Sequence, residues 1–176
     1  MRKLQTTELN RLSIEAFKSL EKLPVVVILD NVRSGYNVGS VFRTCDAFAV
    51  FSLYLCGITP TPPNREVKKT ALGSSESVKW HYFEDTLKAL EKVKEDGFQI
   101  IIAEHTTRSI SLQHFSPSKN MKYALVFGNE IDGISGDLLE LADAAVEIPQ
   151  FGTKHSLNIS IAAGIILWHF ARNLLN

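Results

Sequence analysis

Three stretches gather the side chains and glycines that chemistry needs: "NVGSVFRT", "FGNEIDGIS" and "IPQFGTKHSLNISIA". In the first, Asn37 has the type of a helix N-cap. Arg43 offers a planar fork for a phosphate or carboxylate, although an ordinary helix-surface ion pair would use it equally well. In the second, Gly128 and Gly133 bracket Asn129, Glu130, Ile131 and Asp132. Glycine there permits close approach of backbone to a ligand. Glu130 could hold a ribose hydroxyl, an amine or a partner arginine, or simply be a solvated turn carboxylate. In the third, Gly152, Thr153, Lys154, His155, Ser156 and Asn158 stand against an apolar run. One helix N-cap, for which Ser156 is suited, does not need them all. His155 has the near-neutral titration of a base, but a place on the loop surface explains it more simply.

Other chemistries find little support. No G-x-G-x-x-G follows the first apolar run, no G-x-x-x-x-G-K-[ST] occurs, and there is no G-x-S-x-G elbow. Cys45 falls inside an expected helix without a base nearby, which argues against a cysteine nucleophile. Cys45 and Cys56 form no C-x-x-C pair, and no His/Cys cluster has zinc spacing, so no metal site is expected.

The elements that must position these loops follow from periodicity. "VVVILD", "SLYLCG", "VKWHYF", "FQIIIAE", "YALVFG" and "AAVEIP" read as strands, several of them apolar enough to be buried on both sides. Between them lie helical stretches: "TELNRLSIEAFKSLEK" with Thr7 as cap, "VGSVFRTCDAFA", a Pro-rich loop with room for a short helix, "EDTLKALEKVKED", "SGDLLELAD" and "LNISIAAGIILWHFARNLL". In "EDTLKALEKVKED", Leu87, Leu90 and Val93 are expected inward, with Glu84 and Lys88 spaced as a pair. Alternating strands and helices predict an α/β fold, a mainly parallel sheet with helices on both faces. Ligands of such sheets bind beyond the carboxyl ends of the strands. "DNVRSGYN", "AEHTT", "GNEIDG" and "PQFGTKHSLN" each follow a strand directly, so all four loops should meet at one sheet edge.

The 176 residues suit one domain, 1–176, with residues 1–23 as an N-terminal helical extension. Hydrophobic residues make up 45%, enough for a core. No apolar run could span a membrane, and the start lacks the apolar stretch of a signal peptide. The cysteines read as reduced residues of a cytoplasmic protein. The 19 Lys+Arg balance 19 Asp+Glu, so any nucleic-acid contact must be a focused patch. Candidates are an N-terminal cluster that includes Arg11, and Arg65, Lys68 and Lys69 in the Pro-rich loop; solvated surface is the plain alternative.

Taken together, the residues resemble the SpoU (TrmH-like) branch of the SPOUT RNA methyltransferases. Asn37, Gly39 and Arg43 match N-x-G-x-x-x-R. Phe127, Gly128, Glu130 and Gly133 match F-G-x-E-x-x-G. Ile148, Pro149, Gly152, Ser156, Leu157, Asn158, Ser160 and Ala162 match I-P…G…S-L-N-x-S-x-A. The resemblance runs from about Pro24 to the C-terminus. It implies a C-terminal deep trefoil knot, an exception to unthreaded chain topology. It also implies bent S-adenosylmethionine as cofactor, with S-adenosylhomocysteine as product, and a homodimer through the C-terminal helix. The implied reaction is methylation of a ribose 2′-hydroxyl in RNA, with no metal. The final helix is apolar almost all round, which a fully buried helix or one shared between its own sheet and a second subunit would explain; the shared helix is preferred.

By the same resemblance, Gly128, Ile148 and Leu157 would hold the cofactor, with Glu104 as a further contact. Asn37, Arg43, Glu130, Ser156 and Asn158 would form the catalytic and RNA-positioning set. Arg43, Arg65, Lys68, Lys69 and Arg11 are the RNA-binding candidates. The family motif leaves the position of His155 open, and Gln150 stands where many relatives carry Met. Compact relatives often act on tRNA, which favours tRNA over rRNA. Methylation of a base nitrogen and an inactive RNA-binding or assembly module stay open as alternatives.

Overall fold

The structure, a computed structural model, describes residues 1–5, 8–9, 12–154 and 156–175. In chain order its elements are α1 (Ile14–Ser19), β1 (Leu23–Asp30), α2 (Gly35–Ala47), β2 (Val50–Cys56), α3 (Arg65–Ala71), α4 (Ser74–Ser77) and β3 (Trp80–Phe83). There follow α5 (Thr86–Glu95), β4 (Phe98–Ala103), β5 (Ile110–Ser111), β6 (Lys122–Phe127), α6 (Gly136–Leu139), β7 (Ala144–Glu147) and α7 (Ile159–Leu174). The strands form one seven-stranded sheet in the order β3-β2-β1-β6-β4-β7-β5, and every pairing is parallel.

Alternation along β1 splits the core in two, because successive side chains leave a strand on opposite faces. Val25, Val27 and Leu29 pack with Val38, Val41 and Phe42 of α2 and with Ala163, Ile166, Leu167 and Phe170 of α7. Val26 and Ile28 pack with Ala89, Leu90 and Val93 of α5 and Leu138 of α6. This is the expected α/β arrangement with helices on both faces. Because all strands run one way, the loops after β1, β4, β6 and β7 do emerge at a common edge.

Several local expectations change. The first helix is only six residues long, capped by Ser13, whose hydroxyl accepts from the Ala16 amide at 3.2 Å. Leu9, Leu12 and Ile14 are exposed, leaving Phe17 as the helix's one buried anchor; a helix without a packed face gains little tertiary support. Thr7, the expected cap, lies outside the described residues. Leu87 faces solvent while Ala89 takes the inward place. Glu84 precedes α5, whose N-cap is Asp85, and the i,i+4 pair that forms there is Lys92–Asp96 at 2.5 Å. The short β5 escaped the pattern because two residues carry no period.

Candidate active site

A cleft of about 670 Å³ opens at the carboxyl edge, between the loops after β4, β6 and β7 and the first turns of α7. Its walls include Glu104, Gly128, Glu130, Ile148, Ser156, Leu157 and Asn158. Candidate residues from positions 104 to 158 are thus gathered round one cavity. Asn37 joins them through hydrogen bonds.

The helix caps explain how. The cap of α2 is Ser34, whose hydroxyl accepts from the Asn37 amide at 3.3 Å. Asn37 is therefore not the N-cap that its type suggested; it lies in the first turn with its side chain free for other partners. Its Nδ2 donates to Glu130 Oε1 at 2.9 Å. Its Oδ1 accepts from Asn158 Nδ2 at 3.1 Å. Asn158, rather than Ser156, caps α7: its Oδ1 accepts from the Ser160 amide at 2.9 Å and from the Ser160 hydroxyl at 2.7 Å. The Arg33 amide donates to Glu130 Oε2 at 3.2 Å. One continuous path, Glu130–Asn37–Asn158, thus links all three motif stretches. Burial disfavours the charged Glu130, but the Asn37 amide and backbone N–H groups outweigh it and hold the carboxyl below its usual range.

The turn carrying Glu130 is built by its neighbours. Asn129 Oδ1 accepts from the amides of Ile131 at 2.9 Å and Asp132 at 2.8 Å. Gly133 sits at φ +66, and a Cβ there would overlap the Glu104 carboxylate. A Cβ on Gly128 would strike the Gly133 backbone. Glu104 itself accepts from the amides of His105 at 2.9 Å and Ile134 at 3.3 Å, so it braces the β4 and β6 loops against each other.

A second polar group at the cleft was missed by motif reasoning. Glu147 Oε2 accepts from Ser109 Oγ at 2.5 Å and lies 3.3 Å from His105 Nδ1. His105 Nε2 is 3.1 Å from Gln150 Nε2. The Ser109 hydroxyl, and after it His105, hold the Glu147 carboxyl below its usual range. The signal was the "AEHTT" loop at a strand end together with the departure at Gln150.

Arg43 does not line the cleft. It is exposed on α2, and its guanidinium has no hydrogen bond or ion pair among the described residues. Arg65, Lys68 and Lys69 are exposed on α3. Arg11 and His155 lie outside the described residues. Burial pushes the Cys45 thiol far up and that of Cys56 up to about 12, so neither supplies a thiolate. No helix among the described residues is long and apolar enough to cross a membrane, and they hold no His/Cys/Asp/Glu group suited to a metal.

A wholly parallel α/β sheet with a glycine-turned cleft at its carboxyl edge defines a ligand-binding α/β domain. Residues 24–168 match the SpoU rRNA Methylase family, and the chain belongs to that family. It is 33% identical to the tRNA (guanosine(18)-2′-O)-methyltransferase of Aquifex aeolicus, over 84% of this chain and 69% of that protein. It is 31% identical to the Thermus thermophilus enzyme of the same name, over 97% and 86%. Among solved structures it resembles an AdoMet-bound rRNA methyltransferase from Sinorhizobium meliloti, with a TM-score of 0.80 and 28% identity, covering 91% of this chain and 61% of that one. The A. aeolicus TrmH/SpoU tRNA modifying enzyme gives a TM-score of 0.80 and 29% identity, over 91% and 80%.

Proposed function

We propose that this chain is an S-adenosylmethionine-dependent methyltransferase acting on a ribose 2′-hydroxyl of structured RNA, with tRNA favoured over rRNA. The observation that carries this reading is the Glu130–Asn37–Asn158 path, which ties the family's three motifs around one cleft. Two named relatives are tRNA enzymes, and this supports the choice of RNA.

The cleft suits the cofactor in size and charge. Its volume falls in the ordinary ligand range. Its charged walls are Glu104, Glu130, Asp132 and Glu147 with His105, and no lysine or arginine lines it among the described residues; this complements a sulfonium cation. Gly128 lets its backbone pack directly against that of Gly133, which closes the turn at the cleft wall. S-adenosylmethionine, when bound, supplies the methyl group. Gly128, Ile148 and Leu157 would hold the cofactor, with Glu104 as a further contact that also ties the β4 and β6 loops together. Asn37 and Asn158 orient Glu130, and with Ser156 they position the ribose.

Arg43 anchors the neighbouring phosphate and stabilises the developing alkoxide, and the hydroxyl proton passes to that phosphate or to water, since a guanidinium is not readily deprotonated. It lies outside the cleft of its own chain, so it reaches the ribose either over the RNA or from a second subunit. Mixed dimers of Arg43→Ala with Glu130→Ala separate these: recovered activity requires action in trans.

The homodimer belongs to the same reading. Ile161, Ile165 and Trp168 are exposed on α7 at 55%, 38% and 57%, an apolar stripe at helical spacing that a second α7 would cover. A trefoil knot agrees with the sheet order, in which β7 enters between the earlier β4 and β5. A cytoplasmic location agrees with two free, buried cysteines.

The test has two parts: calorimetric titration of S-adenosylmethionine, and mass spectrometry of 2′-O-methylation in unmodified tRNA and rRNA transcripts. Binding followed by a 2′-O-methyl mark in tRNA is expected. A methyl group on a base nitrogen would replace this reading, and absence of cofactor binding would leave an inactive module. Near-full activity in Arg43→Ala would remove Arg43 from the mechanism, and strong rescue by Arg43→Lys would favour charge over fork geometry.

A further inference from the structure

Tyr36 immediately precedes Asn37 in the first turn of α2, and the residue is 43% exposed. The backbone beneath it is tightly held. The Tyr36 carbonyl accepts from Ser40 Oγ and from Thr70 Oγ1 of α3, both at 2.9 Å. Helix α3 comes this close because residue 39 is glycine: a Cβ there would run into the Thr70 hydroxyl and the Val67 carbonyl. The fold thus fixes the root of the ring and leaves the side chain partly exposed.

One cation lies against the ring. Lys69 Nζ stands 5.4 Å from its centroid. Arg33, Arg65 and Lys68 are exposed nearby in sequence on the same two elements and their lead-in loop, and none of them is in an ion pair among the described residues. Glu66, the acid of α3, lies back against Gly35. A lone exposed aromatic needs no explanation. An aromatic with a braced backbone, an ammonium over its ring and a neighbour in the candidate catalytic path does call for one.

We infer that Tyr36 is a stacking platform for an unstacked base of the RNA substrate, with the Lys69 ammonium taking the adjoining phosphate. The inference rests on the methyltransferase reading above and names a positioning residue for its substrate. Proteins read single-stranded RNA by splaying bases onto aromatic side chains. Stacking tolerates any base, because each has a π-face. Tyrosine suits the task, since ordering it costs only two side-chain torsions. Tyr36 and Asn37 share the first turn of α2, so the stacked base belongs to a nucleotide held at the rim of the site rather than in the cleft.

The experiment uses the full chain, unmodified tRNA transcripts and the variants Tyr36→Ala, Tyr36→Phe and Lys69→Ala. Tyr36→Ala should raise the KM for RNA by roughly fivefold or more, the loss of about one stacked base. Tyr36→Phe should restore most of that loss. The Kd for S-adenosylmethionine and the sedimenting mass should not move. Lys69→Ala should lower the salt dependence of RNA binding by about one phosphate contact, which Tyr36→Ala should not do. An unchanged KM in Tyr36→Ala would overturn the inference. A changed mass would overturn it too, since the ring would then be a subunit contact. Filter binding of the same transcripts reads stacking without methyl transfer. Weakened binding by Tyr36→Ala in a protein that methylates nothing would sink the enzyme reading and keep the platform.

Discussion

Helix α5 covers one face of the sheet with Ala89, Leu90 and Val93 and turns Lys88, Glu91, Lys92 and Lys94 to solvent. Helix α7 covers the other with Ala163, Ile166, Leu167 and Phe170, yet its outer side shows Ile161, Ile165 and Trp168. Both helices satisfy the sheet, but only α7 leaves an apolar stripe uncovered. A single exposed apolar side chain such as Leu87 on α5 is ordinary; three at helical spacing form a surface. The same helix carries the site at its N-terminus, through the Asn158 cap. On this side of the molecule one element packs the core, borders the cleft and exposes an apolar stripe, while on the other the outer side of α5 carries mainly charged residues.

The comparison can be broken at several points. Phe170 is fully buried, with the Tyr123 ring at 5.1 Å and the Phe115 ring at 5.6 Å. Phe170→Ala should cost about 3–5 kcal/mol in urea unfolding, and Leu90→Ala on the other face about 2–5 kcal/mol. A negligible loss for Phe170→Ala would mean that α7 does not depend on this contact.

Next comes the polar path. Asn37→Ala removes a hydrogen bond to a charged carboxylate, an interaction of about 1.5–3 kcal/mol. The kcat/KM for methyl transfer should fall roughly 10- to 150-fold, since each 1.36 kcal/mol is about a factor of ten. Wild-type rates would show the path to be structural decoration.

The two outer surfaces should then part company. Trp168→Glu is expected to shift the sedimenting species from dimer toward monomer, whereas Leu87→Glu on α5 leaves the mass unchanged. Equal behaviour of the two would dissolve the distinction between the helices.

The smallest effect concerns pH. The folded Glu130 carboxyl titrates below its unfolded range. Its contribution is therefore present above the unfolded pKa and is lost as pH falls through the folded one. The stability gap between wild type and Glu130→Gln should narrow from about pH 6 to about pH 3. A constant gap in urea melts at those two pH values would rule out the charge as its source.

The sheet was legible because buried parallel strands read as continuous apolar runs, as β1, β4 and β6 do. The meeting of four loops at one edge followed from that direction alone. The cap roles were misjudged because Ser, Asn and Thr suit the same positions. Ser34 and Asn37, like Ser156 and Asn158, are competitors that type cannot rank. The Glu147–His105–Gln150 cluster was invisible to motif reasoning because its members are separate in sequence and meet only where β4 and β7 pair.

By itself the sequence determined which segments, β5 apart, are strands, which loops are polar, which residue types each loop holds, and the family signature those types make. Periodicity and composition encode burial, and burial is local to a segment. Only the tertiary structure decided the strand order, with β6 between β1 and β4 and β7 between β4 and β5. That order brings Glu130, 93 residues away, and Asn158, 121 residues away, to the same amide of Asn37. It also left Arg43, six positions along the same helix, exposed and outside the cleft lining. A side-chain amide has no preference in the chain for a partner so distant; the partner is whatever the packed sheet sets within reach.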